Sequence, residues 1–147
     1  MSGDFSTGLR ISASGLAAQR MRMNTISSNI ANINTTRTPE GGPYRRKDVV
    51  FESMPDARNF GEMIKTPPND NFQRVQVTDI VPDQKAPLLK YEPDHPDANA
   101  DGYVAYPNIN LMEEMANMIQ ATRSYEANVS AMQAAKDMAL SSLEIGR

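Results

Sequence analysis

The side chains of this sequence that could bind a metal or transfer a proton are few, and they cluster in one short segment. The single histidine, His95, lies in the run EPDHPDANAD beside Asp94, Asp97 and Asp101. A metal site needs such ligands to converge on one point. The run also lacks the glycine and the distal glutamate of a calcium-binding loop. It therefore predicts an exposed polar loop that holds no metal.

Other catalytic arrangements are missing from the sequence. It contains no cysteine, which excludes disulfides and thiolate metal ligands. It contains no phosphate-binding loop, dinucleotide-binding run or nucleophile elbow. The paired carboxylates Glu113 and Glu114 fall where a helix is predicted to begin, and a helix first turn explains them without catalysis. The sequence predicts a protein that is not an enzyme and that uses no cofactor.

The composition limits both the core and the partners. Of the 147 residues, 39% are hydrophobic and 6% aromatic, so a large compact core is not expected. The formal net charge of −3 gives no basic field for a nucleic acid. No run approaches the ~20 apolar residues that span a bilayer, and the N-terminus lacks the features of a secretory signal. We expect no nucleic-acid partner, no membrane insertion and no cleaved signal peptide.

The positions of the prolines predict which parts of the chain are helical. All ten prolines lie between Pro39 and Pro107. Proline costs about 3 kcal/mol in a helix interior, so the flanks 1–34 and 108–147 can form long helices and the middle segment 35–107 cannot. The predicted fold is mainly α, with N- and C-terminal helices paired as a coiled-coil-like hairpin. The middle is an irregular, proline-rich segment containing short β-strands.

The N-terminal flank has a seam with alternating spacings of three and four residues, as in a coiled coil. The seam consists of Leu9, Ser12, Leu16, Gln19, Met23, Ile26, Ile30 and Ile33. Gly8 and Gly15 each weaken the helix by about 1 kcal/mol relative to alanine, so it needs a partner. The Asn24, Asn29, Asn32 and Asn34 amides can mark a helix that fades into a turn. They can equally hydrogen-bond within or between subunits.

The C-terminal flank has the stronger helix signal. Asn110 is the predicted N-cap, with Glu113 in the capping-box position, and Gly146 is a predicted stop. Two apolar tracks recur every seven residues: Leu111, Met118, Tyr125, Met132 and Ala139, and beside them Met115, Thr122, Val129, Lys136 and Leu143. Packing the two seams against each other would bury apolar surface on both helices, which is favourable in water. Ordinary bundle packing explains this spacing as well as self-assembly does.

The middle segment alternates short strand candidates with turns. The candidates are Tyr44–Phe51, Phe72–Val81, Leu88–Tyr91 and Gly102–Ala105. The segment is too polar for a core of its own and should pack against the helices or against neighbouring subunits. The basic cluster 45–47 is either a solvated strand start or a contact for an acidic partner or peptidoglycan.

Several runs resemble a known family. The segments SGL at 14–16 and NTISSNIANINT at 24–35 resemble the N-terminal signature of flagellar rod, hook and hook-associated proteins. The segments GYV at 102–104, PNIN at 107–110 and RSYEAN at 123–128 are similar to the proximal rod members of that family. The short chain agrees, because distal rod and hook proteins have much larger middle segments.

The resemblance implies a structural subunit of the proximal rod of the bacterial flagellar basal body. Such proteins are exported through the flagellar type III export apparatus and assemble by their terminal helices into a hollow helical drive shaft. That shaft crosses the periplasm and transmits torque. The implied partners are further copies, other rod proteins and the export apparatus. The open alternatives are another axial protein of the same superfamily and a soluble coiled-coil adaptor or export chaperone.

The resemblance and the seams together give a set of expected helix-pairing and subunit-interface residues. They are Leu9, Leu16, Met23, Ile26, Asn29, Ile30, Asn32, Ile33, Leu111, Met115, Met118, Ile119, Tyr125, Val129, Met132 and Leu143.

Overall fold

The computed structural model of the chain describes residues 2–55 and 73–145, which form two helices and four strands. In chain order these are α1 (Ser2–Ala31), β1 (Lys47–Pro55), β2 (Gln73–Pro82), β3 (Leu88–Tyr91), β4 (Tyr103–Tyr106) and α2 (Leu111–Ile145). Helical flanks and short antiparallel strands in the middle are therefore confirmed for these residues. The expected boundary residues Phe72 and Gly146 lie outside the described residues.

Both helices occupy the proline-free flanks. The predicted cap of α2 is confirmed, because Asn110 Oδ1 accepts the backbone N–H of Met112 at 3.0 Å and that of Glu113 at 3.5 Å. These bonds satisfy donors that a helix N-terminus otherwise leaves unpaired. At 30 and 35 residues, the helices are roughly 45 and 52 Å long.

The two helices run antiparallel and pack against each other. Near the N-terminal half of α1, a Cβ added to Gly15 would lie 3.1 Å from Nδ2 of Asn128. Further along, Met23 Sδ lies 3.7 Å from the hydroxyl of Thr122. The contacting residue number rises in α1 as it falls in α2, which defines the antiparallel direction. A glycine at the first point lets the facing carboxamide approach the α1 backbone.

Strands β1 and β2 form an antiparallel pair from Lys47↔Pro82 to Pro55↔Gln73. The register shifts between Val50 and Phe51, which leaves Thr78 as the extra residue of a bulge. The predicted start of β1 at Tyr44 was wrong by three residues. Residues 44–46 instead form a connection to α1, because the backbone N–H of Tyr44 donates to the carbonyl oxygen of Thr35 at 3.0 Å.

Strands β3 and β4 form a second antiparallel pair, from Leu88↔Tyr106 to Tyr91↔Tyr103. The turn between them ends at Gly102, which has a φ of +80°. This left-handed conformation suits glycine because it has no Cβ. A Cβ at this glycine would also lie 2.9 Å from Cε2 of Tyr91.

The apolar core is small, and its members come from both helices, from β1 and β4, and from the connection before α2. Its buried members are Ala18, Ile26, Val49, Val104, Ile109 and Ala121. Strands β1 and β2 pack against α1, and Ser14 Oγ accepts the backbone N–H of Val75 at 3.2 Å. This part of the middle segment therefore completes its burial on α1, which is one of the two alternatives that its polar composition predicts.

Candidate functional site: a buried polar junction

Five residues from three segments meet where α1 ends and α2 begins. We call Asn29, Tyr44, Arg46, Lys47 and Glu114 the buried polar junction. Asn29 is 0% exposed and Glu114 1% exposed, although both residue types normally face water. A buried amide and a buried carboxylate are tolerated only when their hydrogen bonds are satisfied.

The carboxamide of Asn29 lies at the centre of the junction. Its Nδ2 donates to the backbone oxygen of Lys47 at 2.8 Å and to Oε2 of Glu114 at 3.0 Å. Its Oδ1 accepts the backbone N–H of Lys47 at 2.9 Å and the hydroxyl of Tyr44 at 3.1 Å. Both donors and both acceptor sites of the amide are thus used. One side chain fixes α1 to the first residue of β1 and to the first turn of α2.

The carboxylate of Glu114 is balanced by a cation from the connection before β1. Its Oε1 accepts Nε–H of Arg46 at 2.8 Å, and Nη1 of Arg46 reaches Oδ2 of Asp48 at 3.1 Å. Burial disfavours the charge of Arg46, but the hydrogen bonds to Glu114 and Asp48 outweigh burial and raise the pKa of the guanidinium. Glu114 also lies in the first turn of α2, where the helix dipole favours a negative charge.

The junction is built to hold segments together rather than to react. The carboxamide of Asn29 and both carboxylate oxygens of Glu114 are hydrogen-bonded to other groups of the same chain. Among residues 2–55 and 73–145, no three His, Cys, Asp or Glu side chains are grouped so as to hold a metal. The arrangement can set the rotation and register of α1 against α2, because a shift of either helix breaks directional bonds.

The turn around His95 is organised by internal contacts. His95 Nδ1 accepts the backbone N–H of Asp97 at 3.1 Å. The carboxylate of Asp97 accepts the hydroxyl of Thr36 at 2.8 Å and lies 3.9 Å from Arg37. The histidine and this aspartate therefore tie the turn to the segment after α1.

The structure places the expected interface residues in two groups. Those of the N-terminal flank are all buried or half-buried: Leu9, Leu16, Met23, Ile26, Asn29, Ile30, Asn32 and Ile33. On α2, Met118, Tyr125, Val129 and Met132 are half-buried, whereas Leu111, Met115, Ile119 and Leu143 are exposed. Their role in subunit contacts stays a prediction.

The face that α2 buries is rotated by one residue from one of the two predicted tracks. Glu114 and Ala121 are buried, while their neighbours Met115 and Thr122 are exposed. The sequence reasoning also missed Arg46 as the partner of Glu114, since these residues are far apart in the chain. One signal in the sequence did point to such a partner. Asn29 lies beside the predicted apolar seam of α1, and a buried amide requires polar partners.

The terminal segments match two family models. Residues 9–37 match the model described as "Flagella basal body rod protein", and residues 100–145 match the one described as "Flagellar basal body rod FlgEFG protein C-terminal". Full-length relatives agree. The flagellar basal-body rod protein FlgC of Borreliella burgdorferi is 43% identical over 147 residues, covering 95% of each chain. FlgC of Bacillus subtilis is 43% identical over 146 residues, covering 95% of this chain and 96% of its own. The chain belongs to the FlgC family of flagellar basal-body rod proteins.

Membership of the FlgC family fixes the class of function. The chain is a structural protein of the flagellar basal-body rod and is not an enzyme. A rod protein works by assembling with other rod components. Within the described residues, neither helix is both long and apolar enough to span a membrane.

The FlgC resemblance covers the buried polar junction from both sides. Asn29 lies in the N-terminal match, and Glu114 lies in the C-terminal match. Arg46 lies between them, in the part matched by the full-length relatives. The two segments that carry the family signatures are therefore the two that the junction joins.

Proposed function

We propose that the chain is a proximal rod subunit whose α1 and α2 pair as a coiled-coil-like hairpin. These hairpins stack as the inner layer of a hollow helical drive shaft that transmits torque. In this proposal residues 1–34 and 108–147 form the inner layer, and residues 35–107 lie outside it and contact neighbouring subunits.

The observation that carries the proposal is the amount of apolar surface that a single chain leaves uncovered. Met112 is 74% exposed and Leu143 71% exposed, on a helix whose other face packs on α1. Exposed apolar surface of this kind marks interaction sites, and its burial by neighbours gives about 25 cal/mol per Å². Contacts between unlike surfaces that do not close into a ring produce an open helical polymer.

The proposal also includes the route and the partners. The chain reaches the rod through the flagellar type III export apparatus, in a largely unfolded state, and is added to the rod in the periplasm. A glycine-containing α1 that depends on tertiary contacts suits such transport, because isolated helices of low propensity are unstable in water. Further copies and other rod proteins then supply the burial that one chain lacks.

Substitutions on α1 test the assembly step. Leu16→Asp and Ile30→Asp place a charge on the half-buried face of α1, and we expect either change to abolish incorporation into basal bodies and swimming. Asn24→Asp is the matched control, because Asn24 is exposed on the same helix. Normal swimming by the Leu16 or Ile30 variant would refute the proposal.

Circular dichroism of the purified chain and cryo-electron microscopy of basal bodies test the folding step. A monomer whose helical content falls short of the 30 and 35 residues of α1 and α2, but whose density in basal bodies appears as paired helices lining the rod, supports the completion of folding on assembly. A stably helical monomer that is absent from basal bodies would contradict it and favour a cytoplasmic adaptor.

A further inference from the structure

One face of the β3–β4 pair is an exposed apolar surface outside the two helices. Leu89, Tyr91 and Tyr103 lie on it, because cross-strand partners share a face and side chains alternate along a strand. Tyr91 is 65% exposed and Tyr103 43% exposed, whereas Val104 on the opposite face is fully buried. We call Leu89, Tyr91 and Tyr103 the tyrosine patch.

The tyrosine patch is held in place by its own surroundings. The rings of Tyr91 and Tyr103 pack edge to face with centroids 5.3 Å apart. The Tyr91 ring also lies against the bare backbone of Gly102, and Asn99 Oδ1 accepts the backbone N–H of Tyr103 at 2.8 Å. Aromatic rings fixed in advance lose little conformational entropy on binding. An exposed surface so organised is a candidate contact surface.

A complementary surface lies on α2. Met112, Met115 and Ile119 are spaced by three and four residues and therefore share one helix face; all three are exposed. We call these three residues the methionine stripe. Thioether sulfur packs favourably at the edge of aromatic rings and adapts to irregular shapes. Arg123 continues the stripe one turn further and is also exposed.

Charged side chains border both surfaces. The turn that joins β3 to β4 carries exposed Asp94 and Asp101 at the end of the strands where Tyr91 and Tyr103 pair. Its third aspartate, Asp97, is already engaged by Thr36. Arg123 lies at the C-terminal end of the stripe, between the exposed carboxylates of Glu113 and Glu126. The tyrosine patch thus has an acidic border, and Arg123 is the cation beside the stripe that can pair with it.

We propose that the tyrosine patch of one copy receives the methionine stripe of the next copy, with Arg123 beside the acidic turn. This inference rests on the proposed function, because it requires copies arranged in an assembly. The contact joins two different surfaces, so it can repeat from each copy to the next along an assembly. The two tyrosines expose only roughly 200 Å², given about 150–250 Å² per aromatic side chain. That is far below the ~1,000 Å² of a stable complex, so the contact forms in the rod and not between dilute monomers.

Cross-linking tests the contact cleanly because the native chain has no cysteine. The variant Tyr91→Cys/Ile119→Cys is expressed in place of the native chain, and isolated basal bodies are treated with a short bis-maleimide. We expect dimers and higher multiples of this chain. The matched control is Tyr91→Cys/Gln120→Cys, because Gln120 is exposed but points about 100° away on the helix.

The outcomes separate this contact from the proposed function. If basal bodies assemble but the Ile119 pair gives no more multimer than the Gln120 pair, the contact is wrong and the rod function stands. An adduct formed only with a different rod protein also overturns the proposal, because it names another occupant for the tyrosine patch. Loss of basal bodies in both cysteine variants moves the test to charge reversal, in the otherwise native chain.

Charge reversal tests the orientation of the contact. Asp101→Arg and Arg123→Asp should each lower cross-linking about 1.4- to fivefold, the range for an exposed ion pair. The double reversal should restore it. In the otherwise native chain the same pattern is read as swimming speed. Single reversals without effect, or a double reversal that is worse than either, would overturn the proposed pairing of Arg123 with the acidic turn.

Discussion

Replacing Asn29 with aspartate removes both amide donors of the buried polar junction while changing the shape of the side chain very little. The backbone oxygen of Lys47 loses its 2.8 Å bond, and the new carboxylate faces that of Glu114 across the site of a 3.0 Å bond. An orphaned buried acceptor costs about 1–3 kcal/mol. Two carboxylates about 4 Å apart repel by up to ~4 kcal/mol at an effective dielectric of 20. We expect Asn29→Asp to lower the free energy of unfolding by roughly 3–5 kcal/mol, of a typical 5–15.

Urea unfolding followed by far-UV circular dichroism measures this loss. Asn24→Asp adds the same charge at an exposed position of the same helix and should change the free energy of unfolding by less than about 0.5 kcal/mol. A second readout is hydrogen exchange of the Lys47 amide, which donates to Asn29 Oδ1. It should remain protected in the Asn24 variant and lose protection in the Asn29 variant.

A double substitution separates the junction from a general effect of charge. In Asn29→Asp/Glu114→Gln, the new carboxamide at 114 can donate to the carboxylate at 29 and still accept from Arg46. We expect a coupling energy of roughly 1–3 kcal/mol, the range for residues in direct contact. Additive effects of the two changes, or an Asn29 variant as stable as the Asn24 variant, would refute the assignment of the junction as a structural lock.

Three further changes test features of the strands and helices. Gly102→Ala should destabilise the chain by about 1–3 kcal/mol, because it combines a positive φ with a ring at 2.9 Å; Gly41→Ala, at a φ of +88° in open space, should cost less in the same urea titration. Gly8→Ala should raise the melting temperature by about the 1 kcal/mol by which alanine exceeds glycine in helix propensity, because nothing lies near the added Cβ. Gly15→Ala should raise the melting temperature less, because its Cβ would lie 3.1 Å from the carboxamide of Asn128 on the facing helix. The hydrogen bond from the Tyr106 hydroxyl to Glu92 raises the pKa of Tyr106 above 10.0. The stabilising contribution of this bond is therefore complete below pH ~10 and is lost as the pH rises through the raised pKa. Ultraviolet titration of Glu92→Gln should show a lower tyrosine pKa than in the native chain, and an unchanged titration would refute the bond.

The larger elements could be predicted from the sequence because their causes are local. Proline is excluded from helix interiors, so the limits Pro39 and Pro107 bracket the non-helical part. The alternation of Val75 and Val77 with polar residues predicted β2 to within one residue at each end. The N-cap at Asn110 also depends on neighbours in the chain alone.

The buried polar junction could not be predicted in the same way because its partners come together only in the folded chain. In the sequence, Glu114 is explained by a helix first turn and Arg46 by a solvated basic cluster. Only the folded chain shows that each offsets the burial cost of the other. Spacing also does not fix helix rotation when small residues do the packing. Ala121 is buried and Ile119 is exposed, although hydrophobicity alone suggests the reverse.

The position of the buried polar junction has a mechanical consequence. It holds α1 near its C-terminal end and α2 at its first turn, so most of each helix, roughly 40 Å at 1.5 Å per residue, extends away from it. A sideways force on the far ends acts on the junction with the leverage of a cantilever on its support. Hydrogen bonds are directional and weaken steeply when bent, so this support is stiff and yields abruptly. The apolar contacts between α1 and α2 are non-directional, so the two helices can slide and bend against each other.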